Sequence, residues 1–240
     1  YGDHRDLHLS IRRQRQMCIR DRYIRFALKK IIISFLILGL FYSSCAQESS
    51  TKTQAKLEPI LVNDEYVHKA YFASGCFWCV EAIYESLIGV DEVVSGYSGG
   101  ETNNPTYGLV NTKLTGHAET IEVVYNPNKI TFSNLLDVYF GSQNIEQING
   151  QGPDMGPQYR SIIFYQNEDQ KEMIYSKINQ IEIKTGLEVA AEVYPFRKFW
   201  VAENYHQNFK KNNPNHPYIK NISDPRFKSF KFKFEDLIKD

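Results

Sequence analysis

Two cysteines three residues apart, Cys76 and Cys79, stand in the run Gly75-Cys76-Phe77-Trp78-Cys79. The alternation of Tyr66 to Ala73 predicts a strand before them, and Ser74-Gly75 breaks it. Beyond Cys76 the apolar residues Val80, Ile83, Tyr84 and Leu87 recur at helical spacing. The pair therefore belongs at a strand-to-helix junction. A thiol at a helix N-terminus faces unpaired N–H groups and the positive end of the dipole, both of which favour thiolate. Residues three apart share a helix face, so a disulfide is within reach. Two small buried hydrophobes are the alternative. The body of the chain has no other cysteine, which favours redox chemistry. A zinc site would need four ligands, and the spacings of His68, His117, His206 and His216 match no common pattern, so no metal is expected.

The surrounding composition is that of a folded protein. The 240 residues are 42% hydrophobic and 23% charged, which excludes a wholly disordered chain. Four cysteines are too few for a disulfide scaffold. Lys and Arg number 28, as do Asp and Glu, so net charge gives no reason to expect nucleic acid as a partner.

The elements that must position the cysteines follow from periodicity. Val90 to Tyr97 reads as a second strand, His117 to Tyr125 as a third, and Thr131 to Phe140 as a helix. Ser161 to Tyr165 and Glu188 to Tyr194 read as strands, Asn167 to Lys184 and Glu203 to Lys211 as helices. The order β-α-β-β-α-β-α-β, with a short last helix after it, predicts an α+β fold: helices packed on a mainly antiparallel sheet. Two long glycine-rich loops, one with Gly99-Gly100 and Asn104-Pro105, the other from Gly141 to Gln158, are of the kind that carry function.

Six segments occur in order: GCFWCVEA, GYSGG (Gly96 to Gly100), NPTY (Asn104 to Tyr107), TGHAE (Thr115 to Glu119), GPQYRS (Gly156 to Ser161) and AENYHQNF (Ala202 to Phe209). Over Val67 to Asn212 the chain resembles the A-type peptide-methionine sulfoxide reductases, and six ordered motifs are far more specific than one CxxC. The resemblance implies a ferredoxin-like α/β plait and reduction of the S epimer of methionine sulfoxide, free or in oxidised proteins. It implies that Cys76 is the nucleophile, Glu119 the proton donor, and Tyr107 and Tyr159 the phenols that bond the sulfoxide oxygen. Phe77 and Trp78 match an aromatic pocket for the substrate methyl group, and Asp154 an acidic residue supporting the site. His206 is read as structural. From residues alone Glu119 would be an ordinary charge in a half-exposed strand, and Phe77 and Trp78 core packing; the resemblance is what reverses that.

Attack on the sulfoxide leaves Cys76 as sulfenic acid, which a second thiol condenses to a disulfide. Many members of the family use cysteines near the C-terminus for this, and this chain has none after Cys79. Cys79 is the expected resolving thiol, although glycine is common there in the family; direct resolution by an external thiol is the alternative. A thioredoxin-like donor, and no bound cofactor, is implied. Pro153, Met155 and Pro157 depart from the family loop or stiffen it, with no direction for substrate preference. Two other readings stay open at this point. A general CxxC thiol–disulfide oxidoreductase would need both thiols and not Glu119; a non-catalytic surface lipoprotein would tolerate loss of Cys76.

The first residues read separately. Residues 1–30 carry nine Lys and Arg against three Asp and Glu. Ile31 to Tyr42 is apolar and uncharged, basic residues precede it, and Ser43, Ser44, Cys45 and Ala46 follow. Twelve residues are short of the ~20 that span a bilayer and suit a signal peptide. Cys45 resembles a lipobox cysteine, so lipidation there and an exported, membrane-anchored protein facing the periplasm or outside are expected. The expected organisation is a non-native extension over residues 1–24, a signal peptide over 25–45, a flexible linker over 46–65, the catalytic domain over 66–212 and a C-terminal extension over 213–240. A monomer is expected.

Overall fold

The computed structural model describes residues 60–62 and 65–239. Residues 1–24, the apolar run and Cys45 lie outside them. A short strand β1 (Ile60–Val62) pairs antiparallel with the start of the nine-residue β2 (Glu65–Ala73), Ile60 opposite Val67. The end of the segment expected to be a linker is thus strand. Then follow α1 (Phe77–Glu85), β3 (Val90–Ser98), α2 (Tyr107–Asn111), β4 (Ala118–Tyr125) and α3 (Phe132–Gly141). A small hairpin, β5 (Gly150–Gln151) with β6 (Asp154–Met155), occupies the second long loop. β7 (Ile162–Tyr165), α4 (Glu168–Thr185), β8 (Glu192–Pro195), β9 (Trp200–Val201), α5 (Phe209–Asn212) and α6 (Asp224–Lys233) complete the order.

The main sheet runs β8-β7-β2-β4-β3-β9, with β1 added to the start of β2. Every pairing is antiparallel except β7 with β8. In its four central strands the first and third in chain order lie between the fourth and the second, the arrangement expected of an α/β plait. β2 shows why the pattern works. Ala70 and Phe72 join the core beneath the helices with Val80, Ile83, Leu135 and Leu136. Tyr71 and Ala73 face the other side, where Phe196 stacks on Tyr71 at 3.8 Å.

The structure departs from the sequence reading further along the chain as well. The last strand begins at Glu192 rather than Glu188, where the chain comes into parallel register with Ile162. Glu203 to Lys211 is not one helix but a 3-10 turn, Asn204–His206, and the short α5. Gln207 turns its amide inward to bond the N–H and C=O of Ser95, and Asn208 takes a left-handed φ of 55° while its N–H bonds Glu81 Oε1. Those tertiary bonds replace a continuous helical ladder. Finally, residues 213–239 pack on the domain: Ile219 and Phe230 are buried, and a π-helical turn, Ile219–Ser223, leads directly into α6.

Candidate active site

β2 hands the chain to α1 through Ser74-Gly75. Gly75 has φ +78°, and a Cβ there would lie 2.6 Å from Gln151 Cβ, so the turn needs glycine. Cys76 is the capping residue of α1, with extended φ and ψ and no side-chain cap bond. Its carbonyl already accepts from Cys79 and Val80 at 3.1 and 3.4 Å. The first N–H groups of a helix have no intrahelical acceptor. That of Phe77 donates to Glu119 Oε2 at 3.0 Å, from the facing strand β4. Glu119 is buried, and loss of water is the largest influence on its carboxyl; the nearby Asp154 and Cys79 add to it, and its pKa is pushed up to about 8.

The cysteines behave differently from the sequence expectation. Burial, the bond to Cys79 and the Glu119 carboxyl push the Cys76 thiol well up. Cys79 is pulled down to about 6, first by the Cys76 hydrogen bond and then, against its burial, by Arg226, Ser223 and Tyr218. The helix terminus alone predicts thiolate on Cys76, but desolvation beside a carboxyl outweighs it.

Tyr107 begins α2, where its N–H donates to Glu203 Oε1 at 2.9 Å. Tyr159 ends a 3-10 turn, Pro157–Tyr159, opened by a proline that fixes φ for the turn. Burial raises both phenols, and both feel the charges of Glu119 and Cys76, so the four groups converge. Each phenol stays protonated at neutral pH and able to donate. Asp154, in β6, accepts from the Tyr218 hydroxyl at 2.5 Å, and burial holds its carboxyl above the ordinary range.

The two aromatics of the motif divide. Phe77 is 1% exposed and packs within 5.9 Å of Tyr97 and 4.9 Å of His206. Trp78 is half-buried, stacks on Phe209 at 3.6 Å and donates from Nε1 to His206 Nδ1 at 3.0 Å. His206 is fully packed, and burial lowers its pKa, so it is the neutral acceptor that its structural assignment requires. With Nδ1 accepting, its proton rests on Nε2, which faces Glu203 at 3.9 Å.

Sequence reasoning missed Glu203, Tyr218, Ser223 and Arg226. Glu203 also accepts from the Tyr97 hydroxyl at 2.9 Å, tying β3 to the loop that carries Tyr107. It lies inside the AENYHQNF motif, which is the signal that could have found it. Tyr218 touches Cys79 Sγ at 3.7 Å. Among the described residues no group of three or more His, Cys, Asp or Glu could hold a metal ion.

A family model described as peptide methionine sulfoxide reductase matches residues 68–237. The chain is 44% identical over 162 residues to the peptide methionine sulfoxide reductase MsrA of Nautilia profundicola, a match covering 68% of this chain and 93% of that one. It is 41% identical over 171 residues to the peptide methionine sulfoxide reductase MsrA of Pasteurella multocida, covering 71% and 98%. Among solved structures it is similar to methionine sulfoxide reductase A of Corynebacterium diphtheriae, with TM-score 0.57, 29% identity and coverage of 62% and 76%. It is also similar to Mxr1 of Saccharomyces cerevisiae in reduced form, with TM-score 0.58, 30% identity and coverage of 62% and 87%.

Proposed function

The chain belongs to the peptide methionine sulfoxide reductase family, and on that footing we propose how its residues divide the reaction. The observation that carries the reading is a buried, protonated Glu119 tied to the residue next to Cys76, with the phenols of Tyr107 and Tyr159 converging on both. A sulfoxide oxygen placed between Glu119 and the phenols receives their hydrogen bonds, which makes its sulfur electrophilic. Cys76 attacks that sulfur while its proton passes to Cys79, its hydrogen-bond partner. Glu119 delivers a proton to the oxygen, which is transferred to Cys76. The products are methionine, Cys76 sulfenic acid, a neutral Cys79 and a Glu119 carboxylate, so protons and charge balance.

Cys79 then resolves the sulfenic acid. The Cys79 thiol gives its proton to the Glu119 carboxylate and its sulfur attacks the Cys76 sulfur; an S–S bond forms, the S–O bond breaks, and the hydroxide leaves as water with that proton. A thioredoxin-like dithiol reduces the disulfide and is itself oxidised. Trp78 and Phe77 supply the apolar wall for the methyl group, Trp78 from its half-buried edge and Phe77 from beneath. Asp154 supports the same side of the site through Tyr218.

Each pure epimer of a blocked methionine sulfoxide, supplied with dithiothreitol, tests this reading. Methionine forms from the S epimer alone, and Cys76→Ser abolishes it. Reduction of neither epimer by folded protein, or equal reduction of both, would refute it. Cys79→Ser keeps one methionine per protein in a single turnover and loses thioredoxin-driven cycling; unchanged cycling would remove Cys79 from the mechanism.

The basic, apolar and small-residue order before Cys45 further supports export and lipidation at Cys45. Cys45→Ser is expected to release the protein from the membrane fraction, and an intact wild-type protein without an acyl mass at Cys45 would defeat the idea.

A further inference from the structure

Glu81, on α1, is 1% exposed, and the reaction makes no use of it. A buried carboxyl is costly unless its oxygens are hydrogen bonded. Its Oε1 accepts the backbone N–H of Asn208 at 3.0 Å. Asn208 has a left-handed φ of 55°, and its own side chain does not cap the short α5 that follows. The four residues from His206 to Phe209 divide into two pairs. The inner two are anchored. Gln207 Oε1 accepts the Ser95 N–H at 2.9 Å and its Nε2 donates to the Ser95 carbonyl at 2.9 Å, which ties the run to β3. Asn208 is tied to α1 through Glu81. The outer two hold Trp78. His206 accepts its Nε1–H at 3.0 Å, and the Phe209 ring lies on its face at 3.6 Å with the two planes 7° apart. Trp78 and Glu81 are three residues apart in α1, so they share a face of that helix. One helix face therefore carries both the tryptophan that the run encloses and the carboxyl that fixes the run.

We propose that Glu81 is a positioning residue that sets the width of the substrate's alkyl pocket: its bond to Asn208 holds the Phe209 ring against Trp78 and so keeps the indole as a fixed wall. This rests on the reading of Trp78 as the wall for the substrate methyl group and says what makes that wall rigid. An indole backed on one face by a stacked ring and bonded at Nε1 cannot retreat. The pocket then takes a methyl sulfoxide and resists a longer alkyl group. One added methylene in a rigid apolar pocket is discriminated by about 10- to 200-fold. Without the Glu81 oxygen the Asn208 N–H loses its acceptor, and the left-handed turn loses its tie to α1. Phe209 is then free to move off Trp78, the indole yields, and the larger group is admitted.

The test is the ratio of kcat/KM for the S epimers of blocked methionine sulfoxide and blocked ethionine sulfoxide, with dithiothreitol, in the full chain. Loss of folded protein lowers both rates alike and cancels in the ratio, so a role in stability alone would not move it. The wild type is expected to favour the methyl substrate by about 10-fold or more, and Trp78→Leu to lose most of that preference. Glu81→Ala is expected to lower the ratio about 3- to 10-fold. Glu81→Leu, which fills the space with an apolar side chain but offers no acceptor, lowers it as far and decides the matter where Glu81→Ala does not fold. Glu81→Gln keeps an acceptor for Asn208 and stays close to the wild type. With Trp78→Leu lowering the ratio, a ratio unmoved in folded Glu81→Ala and Glu81→Leu would overturn the proposal, as would a fall in Glu81→Gln equal to that in Glu81→Leu. A ratio that Trp78→Leu itself leaves unchanged would instead defeat the wall reading, and the proposal with it.

Discussion

Glu119 Oε2 accepts the backbone N–H of Phe77 at 3.0 Å, one residue from the nucleophile. This bond solves two problems at once. It satisfies a helix-end donor that no capping side chain reaches, and it fixes the acid relative to Cys76 without engaging its second oxygen. Burial keeps the proton on the carboxyl up to about pH 8. The proton donor and the nucleophile are therefore positioned by one turn of chain.

Glu119→Gln keeps an acceptor for Phe77 and removes the transferable proton. Sulfoxide reduction is expected to fall by about 10²- to 10⁴-fold, with substrate affinity changed far less. In the wild type the rate should decline as pH rises through about 8, because the carboxyl loses its proton there. Rapid-quench single turnovers from pH 6 to 9 check both points; an alkaline limb that persists in Glu119→Gln would assign it to another group.

Stability should carry the same signature. The folded chain keeps on Glu119 a proton that the unfolded chain loses above about 4.5. The contribution is fully present below that value and is lost as pH rises through about 8. Glu119→Gln cannot lose it. Urea unfolding should therefore show the variant gaining on the wild type between pH 6 and pH 9. Glu81, whose burial pushes it up to about 7, has the same sign but is common to both proteins and cancels.

The phenols separate from the acid in kind. Tyr107→Phe and Tyr159→Phe each remove one hydrogen bond to the developing charge on oxygen. Each should lower the rate about 10- to 10²-fold without moving the alkaline limb, since neither phenol ionises in that range. Stopped-flow measurement of sulfenic acid formation reads the step directly. A shifted limb in either variant would mean that the phenol, not Glu119, supplies the proton.

Where local pattern and burial agree, the sequence reveals the structure. β2, β3, β4, α1 and α3 were legible because their apolar residues recur at strand or helix period and all meet one core. The catalytic residues were legible only through ordered motifs, since one Glu in an alternating strand and two Tyr among sixteen carry no local signal. The contact of Cys79 with Tyr218 was not legible, because the two are 139 residues apart in the chain and meet only after folding. Tyr218, Ser223 and Arg226 were hidden by a segment that reads as polar and basic. Its π-helical turn breaks the 3.6-residue period that would have marked one buried face.

Glu203 gives the most demanding test of how the site is positioned. One carboxylate oxygen takes the Tyr107 N–H and the other the Tyr97 hydroxyl, each at 2.9 Å. Those bonds hold the carboxyl below the ordinary range although burial acts against it. Glu203→Ala leaves the Tyr97 hydroxyl without its acceptor and frees the start of α2, at a cost of about 1–3 kcal/mol. Tyr107 then loses its fixed approach to the sulfoxide oxygen. The rate should fall about as far as in Tyr107→Phe, and the double variant Glu203→Ala with Tyr107→Phe should be little worse than either alone. Fully multiplicative losses in that cycle would show that Glu203 acts on the site by some route other than Tyr107. Glu203→Gln, which keeps an acceptor for one of the two donors, should recover part of the rate and most of the stability.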